Sequence, residues 1–532
     1  MPVVDVDAAI EKRSGKSIGQ IIRVEGEDRF RDLESEELAH TLSTNAEVIA
    51  VGGGALLREA NRILLSTEGI VLVQLAVSFK QALERLSADE ESAARLGGEA
   101  QRPLIMNRKV GGKVDEGAIK QLWREREKLF QLAQVKVWTD FVPGCVVAEA
   151  LHREARVGTR GVTVIPYCND SREGGATGSV IIGRGVLHTL GARLEPMFPP
   201  PRKIAVVIDD GVYELFAESI TKSIEGYEFE LFRVPSGELS KNLMVVEEIA
   251  AEMLALQFSR DDLILVLGGG VVGDLGGLLA SLYMRGVGLV QVPTTLVSQV
   301  DSALGGKTAV NLGGGKNILG TFYPADFVIS DVELLMTLPE REFQSGLAEV
   351  VKYGFIASKE FFEWLEQNLE AVTQREPASL LHVVEFCSRT KLDIVCDDMH
   401  DRANRRALLN FGHTVGHAIE AITSYERYLH GEAVSIGCGV ALEFGASLSK
   451  TPRAVAERGR KLLERCGLWS ELPAELRQES EEKWSAAIKA DKKRSGTQVK
   501  YVFLRDLGDA FVEDVEVETL VQFTVKSSRR EV

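Results

Sequence analysis

The spacing of apolar and polar positions changes character three times along the chain. Up to about residue 155, amphipathic stretches with a helical period alternate with short apolar runs. The runs at 48–51 and 69–75 predict strands; the stretch after Asp5, the Glu-rich stretch 34–42 and residues 114–134 predict helices, an α/β pattern. Residues 156–178 are rich in Gly, Asn, Asp, Ser and Thr and are read as a linker. β-Branched runs return at 203–208, 263–267 and 287–292, with helical segments between them, which predicts a parallel sheet. From about 336 the strand signal fades and helical periodicity dominates, apart from a strand candidate at 498–504. The expected organisation is therefore an α/β domain over 1–155, a linker over 156–178, an α/β domain over 179–335 and a mainly helical domain over 336–532. No repeat of 20–50 residues is evident.

Composition narrows the partners. The formal net charge of −16 argues against nucleic acid, whose phosphates are bound by clustered Lys and Arg. It leaves room for a small anionic substrate, since a local basic cluster can reverse the global sign. No stretch approaches the ~20 apolar residues of a membrane-spanning helix. Asp5, Asp7 and Glu11 stand where a signal peptide would be basic and then apolar. The six cysteines form no C-x-x-C pair, as expected of free thiols in a reducing compartment. A cytoplasmic protein is expected.

Three groups of residues carry candidate chemistry. In 261–274 a strand runs into Gly268-Gly-Gly-Val-Val-Gly-Asp274 and then a helix. Glycines there let backbone N–H groups approach a pyrophosphate. The spacing differs from G-x-G-x-x-G, and a tight strand–helix turn needing only small residues fits as well. Second, five of the eight histidines lie between 382 and 430. His413 and His417, four apart, share a helix face, His430 follows, and Glu349 lies in another helical pattern. Two imidazoles and a carboxylate describe a catalytic zinc-type site. Spacing leaves open which two of the three imidazoles bind. Third, Lys307, Lys316, Lys352, Lys391, Arg405, Arg406, Lys492 and Lys493 lie in or beside polar, Gly-rich motifs. Singly they read as surface charges; together they could clamp a phosphate and a carboxylate.

The ordered motifs from about 178 to 520 resemble the 3-dehydroquinate synthase family. They include Gly268-Gly-Gly-Val-Val-Gly-Asp274, Tyr283-Met-Arg285, Val292-Pro-Thr-Thr, Gly305-Gly-Lys307, Gly346-Leu-Ala-Glu349-Val-Val-Lys352, Asn410-Phe-Gly-His413-Thr-Val-Gly-His417, Leu429-His430-Gly-Glu and Asp491-Lys-Lys493. The resemblance implies a Rossmann-like NAD-binding domain followed by a helical metal-binding domain. It implies that Glu349, His413 and His430 hold one divalent metal, zinc or cobalt, leaving His417 as an active-site residue. NAD would lie against Gly269, Gly270, Val271 and Asp274, with Thr294, Thr295 and Asp301 alongside. Asp209 (or Asp210), Glu238 and Lys241 would take its adenosine ribose end. Implied substrate contacts are Arg285, Lys307, Lys316, Asn317, Lys352, Lys391, Arg406, Asn410 and Lys492 (or Lys493). The stretch between Lys391 and Asn410 is one residue longer than the family usually has. The implied reaction converts 3-deoxy-D-arabino-heptulosonate 7-phosphate to 3-dehydroquinate and phosphate. It runs by transient oxidation, phosphate elimination, re-reduction and aldol closure, with NAD recycled. A homodimer is expected. The runner-up is a related sugar-phosphate cyclase.

Residues 1 to about 150 resemble a shikimate kinase that starts after its phosphate-binding loop. The matches are Asp5-Val-Asp7, Gly26-Glu-Asp-Arg-Phe-Arg31, Gly52-Gly-Gly54 and Arg102-Pro-Leu, with Arg126 at the later substrate arginine. The resemblance implies shikimate contacts from Asp7, Arg31, Gly53 and Arg126, Asp5 near magnesium, and Arg102 in a lid. Gly15-Lys16-Ser17 lacks the earlier glycine and the preceding strand of a phosphate loop, so it is read as helix-end sequence. The expectation is a P-loop-kinase-like remnant without kinase activity that could retain shikimate binding. The alternative is a misassigned start and a bifunctional enzyme.

Overall fold

The computed structural model describes residues 2–67, 69–85, 109–110, 113–114, 116–140, 142–157, 160–168, 177–200, 202–313, 315–396, 405–490, 494–495 and 497–526. The chain divides into two compact units: Met1–Asp140 with Gly158–Gly161, and Phe141–Val157 with Val162–Val532. Both are α/β.

In the first unit, strand Val3–Asp5 pairs in parallel with Val48–Ala50, and Val73–Ala76 with Val135–Trp138. Helix Val6–Ser14 is capped at its start by the Asp5 carboxylate and closed by Gly15 at φ 68°, a left-handed position that glycine takes without cost. Ser17 then opens helix Ile18–Glu25 with a reciprocal capping box to Gln20. Gly15-Lys16-Ser17 is thus a helix end followed by a helix start. Val6, Ile10, Ile21 and Phe30 form a core beneath these helices.

The second unit is built on a sheet ordered Glu228–Val234, Lys203–Asp209, Leu263–Gly268, Gly288–Pro293, Phe327–Asp331, Thr177–Gly183 and Val162–Cys168. All neighbours are parallel except the last pair. The central strands are buried along their whole length, as a sheet covered on both faces requires. From Glu340 the chain is mainly helical, ending in the hairpin Gln498–Asp506/Asp509–Glu516 and helix Val517–Lys526.

Two boundaries differ from the sequence reading. The 156–178 stretch is not a plain linker, because Val162–Cys168 within it is a strand of the second unit. Its seven residues, VTVIPYC, are apolar and β-branched, but averaging over a polar, Gly-rich window hid them. The first unit also ends earlier than 155. Helix Gly144–Val157 belongs to the second unit, where Glu154 makes a buried ion pair with Arg193.

Candidate active site

The parallel sheet brings the glycine turn to the carboxyl ends of its central strands. Gly268 ends one strand and Pro293 ends its neighbour, in register with each other. Helix Gly270–Leu282 starts directly after Gly269. A Cβ on Gly268 would lie 2.4 Å from Val272 Cγ1 and 3.0 Å from Asp209 Cβ; Gly269 faces Thr295 and Gly270 faces Ser302. The crevice is lined by Gly268, Gly269, Gly270, Gln291, Ser298 and Ser302. Thr294 is buried, its N–H donating to the Gly268 carbonyl, and the Thr295 and Ser298 hydroxyls are 2.7 Å apart. At the sheet end next to it, Asp209 caps helix Asp210–Ser223 and accepts a hydrogen bond from Ser236 at 2.6 Å. Backbone N–H groups at a helix start, uncrowded by side chains, suit a pyrophosphate.

A polar chain borders the crevice. Lys241 Nζ lies 2.5 Å from Asp274 Oδ2 and 2.6 Å from Asn317 Oδ1. Asn311 donates to Glu238 at 2.8 Å, and Lys316 pairs with Glu420 at 3.0 Å and Glu238 at 3.8 Å. Asn317 adopts φ 55°, which asparagine tolerates better than most residues. Burial works against the Lys316 ammonium, but Glu420 and Glu238 outweigh it and raise its pKa.

The three implied metal ligands meet. Glu349, fully buried on helix Glu340–Ile356, places Oε1 3.2 Å from His430 Nε2 and 3.3 Å from His413 Nε2. His413 and His430 open successive helices, His413–Ile422 and His430–Ser447, which pack together. Gly437 permits that approach, since a Cβ there would meet the Gly412 carbonyl oxygen at 2.0 Å. Burial, with the Lys352 charge adding to it, lowers the His413 pKa to about 4. Burial also opposes charge on His430, yet Glu420 and Glu349 raise it to about 9. Glu349, which burial alone would protonate, is held well below the usual carboxylate range by Lys352 and His413. A buried and a half-buried imidazole and an anionic carboxylate on one point fit a divalent ion of the zinc or cobalt type.

Around this point lies a buried charge network. Lys352 pairs with Glu349 and stands 3.8 Å from Asp301. Lys391 and the Tyr353 hydroxyl donate to Asp301 at 2.7 and 2.8 Å. Arg406, 2% exposed, donates to the Gly305 carbonyl at 3.4 Å, and its short helical segment ends at Asn410. The His417 ring sits 5.3 Å from that of His413 and 6.2 Å from that of His430. Lys307 begins the hairpin Lys307–Leu312/Gly315–Phe322 that carries Lys316 and Asn317. Val271 lies in the first turn after Gly269. Arg285 stands apart: it is exposed, at φ 66°, and among the described residues no ion pair joins it to the cluster. Lys492, Lys493 and Arg102 lie outside the described residues. The sequence alone assigns no role to Glu420 or Tyr353. Glu420 sits three positions after His417 and seven after His413, and that helical spacing was the available signal.

In the first unit a smaller polar cluster forms. Arg31 pairs with buried Glu34 at 2.8 Å. Gly54 packs on its guanidinium, where a Cβ would lie 2.3 Å from Nη2. Gly52 faces Glu34 and Asp7, and Gly53 faces Phe130 and Arg126. Burial raises the pKa of both Asp7 and Glu34.

Comparison with known proteins agrees with this geometry. Residues 231–345 match the 3-dehydroquinate synthase N-terminal family, 346–494 the corresponding C-terminal family, and 1–141 the shikimate kinase family. A 3-dehydroquinate synthase of Acidithiobacillus ferrooxidans is 43% identical over 311 residues, covering 58% of this chain and 84% of that protein. The Caulobacter vibrioides 3-dehydroquinate synthase is 41% identical over 353 residues, 65% of this chain and 95% of that one. Among solved structures, a 2-deoxy-scyllo-inosose synthase complexed with carbaglucose-6-phosphate, NAD+ and Co2+ aligns with a TM-score of 0.61 at 25% identity. That alignment covers 69% of this chain and 99% of the other. A 2-epi-5-epi-valiolone synthase from Streptomyces hygroscopicus with NAD+ and Zn2+ bound gives 0.61 at 26%, over 68% and 100%. With these two 3-dehydroquinate synthases matched over 84% and 95% of their length, and with the family's N- and C-terminal parts matching successive stretches of the second unit, the chain belongs to the 3-dehydroquinate synthase family.

Proposed function

We propose that the second unit converts 3-deoxy-D-arabino-heptulosonate 7-phosphate to 3-dehydroquinate and phosphate, using NAD and one zinc or cobalt ion. The observation that carries this reading is the meeting of Glu349, His413 and His430 in the unit whose sheet ends in the Gly268–Gly270 turn. When bound, the ion polarises the substrate alcohol, and the nicotinamide takes up and returns a hydride. The chain's own residues bind, orient and hold charge. Gly269, Gly270 and Val271 would offer N–H groups to the pyrophosphate, with Asp274, Thr294 and Thr295 alongside. Glu238, Lys241 and Asp209 would receive the ribose end. Lys307, Lys316, Asn317, Arg406 and Asn410 would receive the substrate's phosphate and carboxylate, for which cationic donors are suited. The Lys352 pKa is raised: burial opposes charge, but Glu349 and Asp301 outweigh it. Its Nζ therefore keeps a proton beside Glu349, where it would face a substrate alcohol bound at the metal. Lys391 is lowered, chiefly by burial, although Asp301 holds it. Fixing one flexible intermediate among these groups replaces several encounters by one. Its phosphate can itself accept the proton in the elimination, so no dedicated base is required.

The test is phosphate release from the heptulosonate phosphate, with and without chelator and NAD. Release that needs both, without net NADH, is the expected result. NADH accumulation would instead indicate a dehydrogenase, and turnover of a heptulose phosphate lacking the carboxylate a different cyclase.

For the first unit, the reading is shikimate binding at Asp7, Arg31, Gly53 and Arg126, with Gly15-Lys16-Ser17 serving no phosphate. Lys16 is paired with Glu25 at 2.6 Å, and its neighbours cap helices. Calorimetric titration with shikimate, and with ATP as the negative arm, tests both statements.

A further inference from the structure

Glu420 has a position that the proposed chemistry does not use. It is 3% exposed and lies on the same helix as His413 and His417. Its carboxylate oxygens lie 3.4 and 3.5 Å from His430 Nδ1, while His430 Nε2 faces Glu349 at 3.2 Å. The imidazole is therefore bracketed, with one nitrogen toward the ligand triad and the other toward a buried carboxylate. If Nε2 binds an ion, the ring proton must sit on Nδ1, where Glu420 is placed to accept it. Glu420 Oε1 also takes the Lys316 ammonium at 3.0 Å.

We propose that Glu420 is a positioning residue that fixes the His430 tautomer and ring plane for the metal. The proposal rests on the metal reading above. A competing arrangement exists, because His417, Glu420 and His430 could themselves surround an ion. Two observations weigh against it. The Lys316 ammonium already pairs with one of the two Glu420 oxygens. In addition, it cannot be filled together with the Glu349, His413 and His430 site, because His430 would then ligate through both nitrogens, which requires loss of its last ring proton.

The experiment titrates metal-free, full-length protein with Zn2+ against a chromophoric chelator. Wild type is expected to bind one ion per chain. In Glu420→Gln the affinity should fall about 10–100-fold, the range for lost outer-sphere partners of a ligating histidine. The visible bands of the Co2+-loaded variant should shift as well, since ring orientation changes the ligand field. Lys316→Met should keep the wild-type affinity, because that ammonium pairs with Glu238 and Glu420 rather than with an imidazole. The double variant Glu420→Gln/Lys316→Met, which restores buried charge balance, should repeat the loss and guards against misfolding of the single variant. Wild-type affinity in both Glu420 variants would overturn the proposal while leaving the metal centre standing. So would an equal loss in Lys316→Met, or a second ion in wild type that Glu420→Gln removes. A wild-type protein that takes up no Zn2+ would overturn the metal reading itself, and this proposal with it.

Discussion

Both units bury a carboxylate against a cation, yet the pKa values of the two carboxylates move in opposite directions. In the first unit Glu34 sits against Arg31 with Asp7 close by, and burial raises the pKa of both acids. In the second unit Glu349 is as fully buried but is driven down, because Lys352, His413 and His430 all favour its anion. Burial alone raises a carboxyl pKa; several converging donors lower it and favour the anion. Glu349 has such donors. Glu34 has Arg31, whose guanidinium is shared with Glu27, and a weaker contribution from Arg126.

The largest expected effect sharpens that contrast. Glu349→Gln should abolish metal binding and lower phosphate release by about 10³-fold or more, the scale of several kcal/mol of lost charge stabilisation. Steady-state kinetics with measured metal content checks it. Asp301→Asn comes next, since it removes the anion held by Lys391, Tyr353 and Lys352. A fall in kcat/KM of about 10²-fold is expected, with the metal retained, because charged buried partners are lost but no ligand is.

In the first unit, Arg31→Met should destabilise that unit by about 3–5 kcal/mol by leaving Glu34 without its buried partner. Rear-unit phosphate release should be unchanged. A differential scan that separates two transitions measures this, and coupled loss of both would break the comparison.

Proton linkage gives a smaller, signed effect. At pH 7 the metal-free protein carries a proton on His430, raised to about 9, and none on His413, lowered to about 4. Metal uptake must then release about one proton, and affinity should rise about tenfold per pH unit from neutrality up to the His430 pKa. Above that pKa the dependence should flatten. Calorimetry in buffers of different ionisation enthalpy reads the proton count. The smallest effect is expected at Lys16. Its pair with Glu25 is exposed, so Lys16→Ala should leave the melting temperature and both units' ligand binding unchanged. A loss of ATP binding on that change would reverse the reading of Gly15-Lys16-Ser17.

Local signals in the sequence determined a good deal here. The strands at 203–209 and 263–268, the glycine turn after them and the helices carrying Glu349 and His413 follow from periodicity and turn chemistry that act within a few residues. The helix-end reading of Gly15 and Ser17 rests on capping, which is equally local. Only tertiary structure decided what lies between distant segments. It selected His413 and His430 over His417 beside Glu349, because the choice depends on how two helices pack against a third. It recruited Val162–Cys168 into the sheet, where pairing with Thr177–Gly183 outweighs a polar neighbourhood. It also set the charge of Glu349 and the place of Glu420, since electrostatics acts through space between residues that the chain itself keeps far apart.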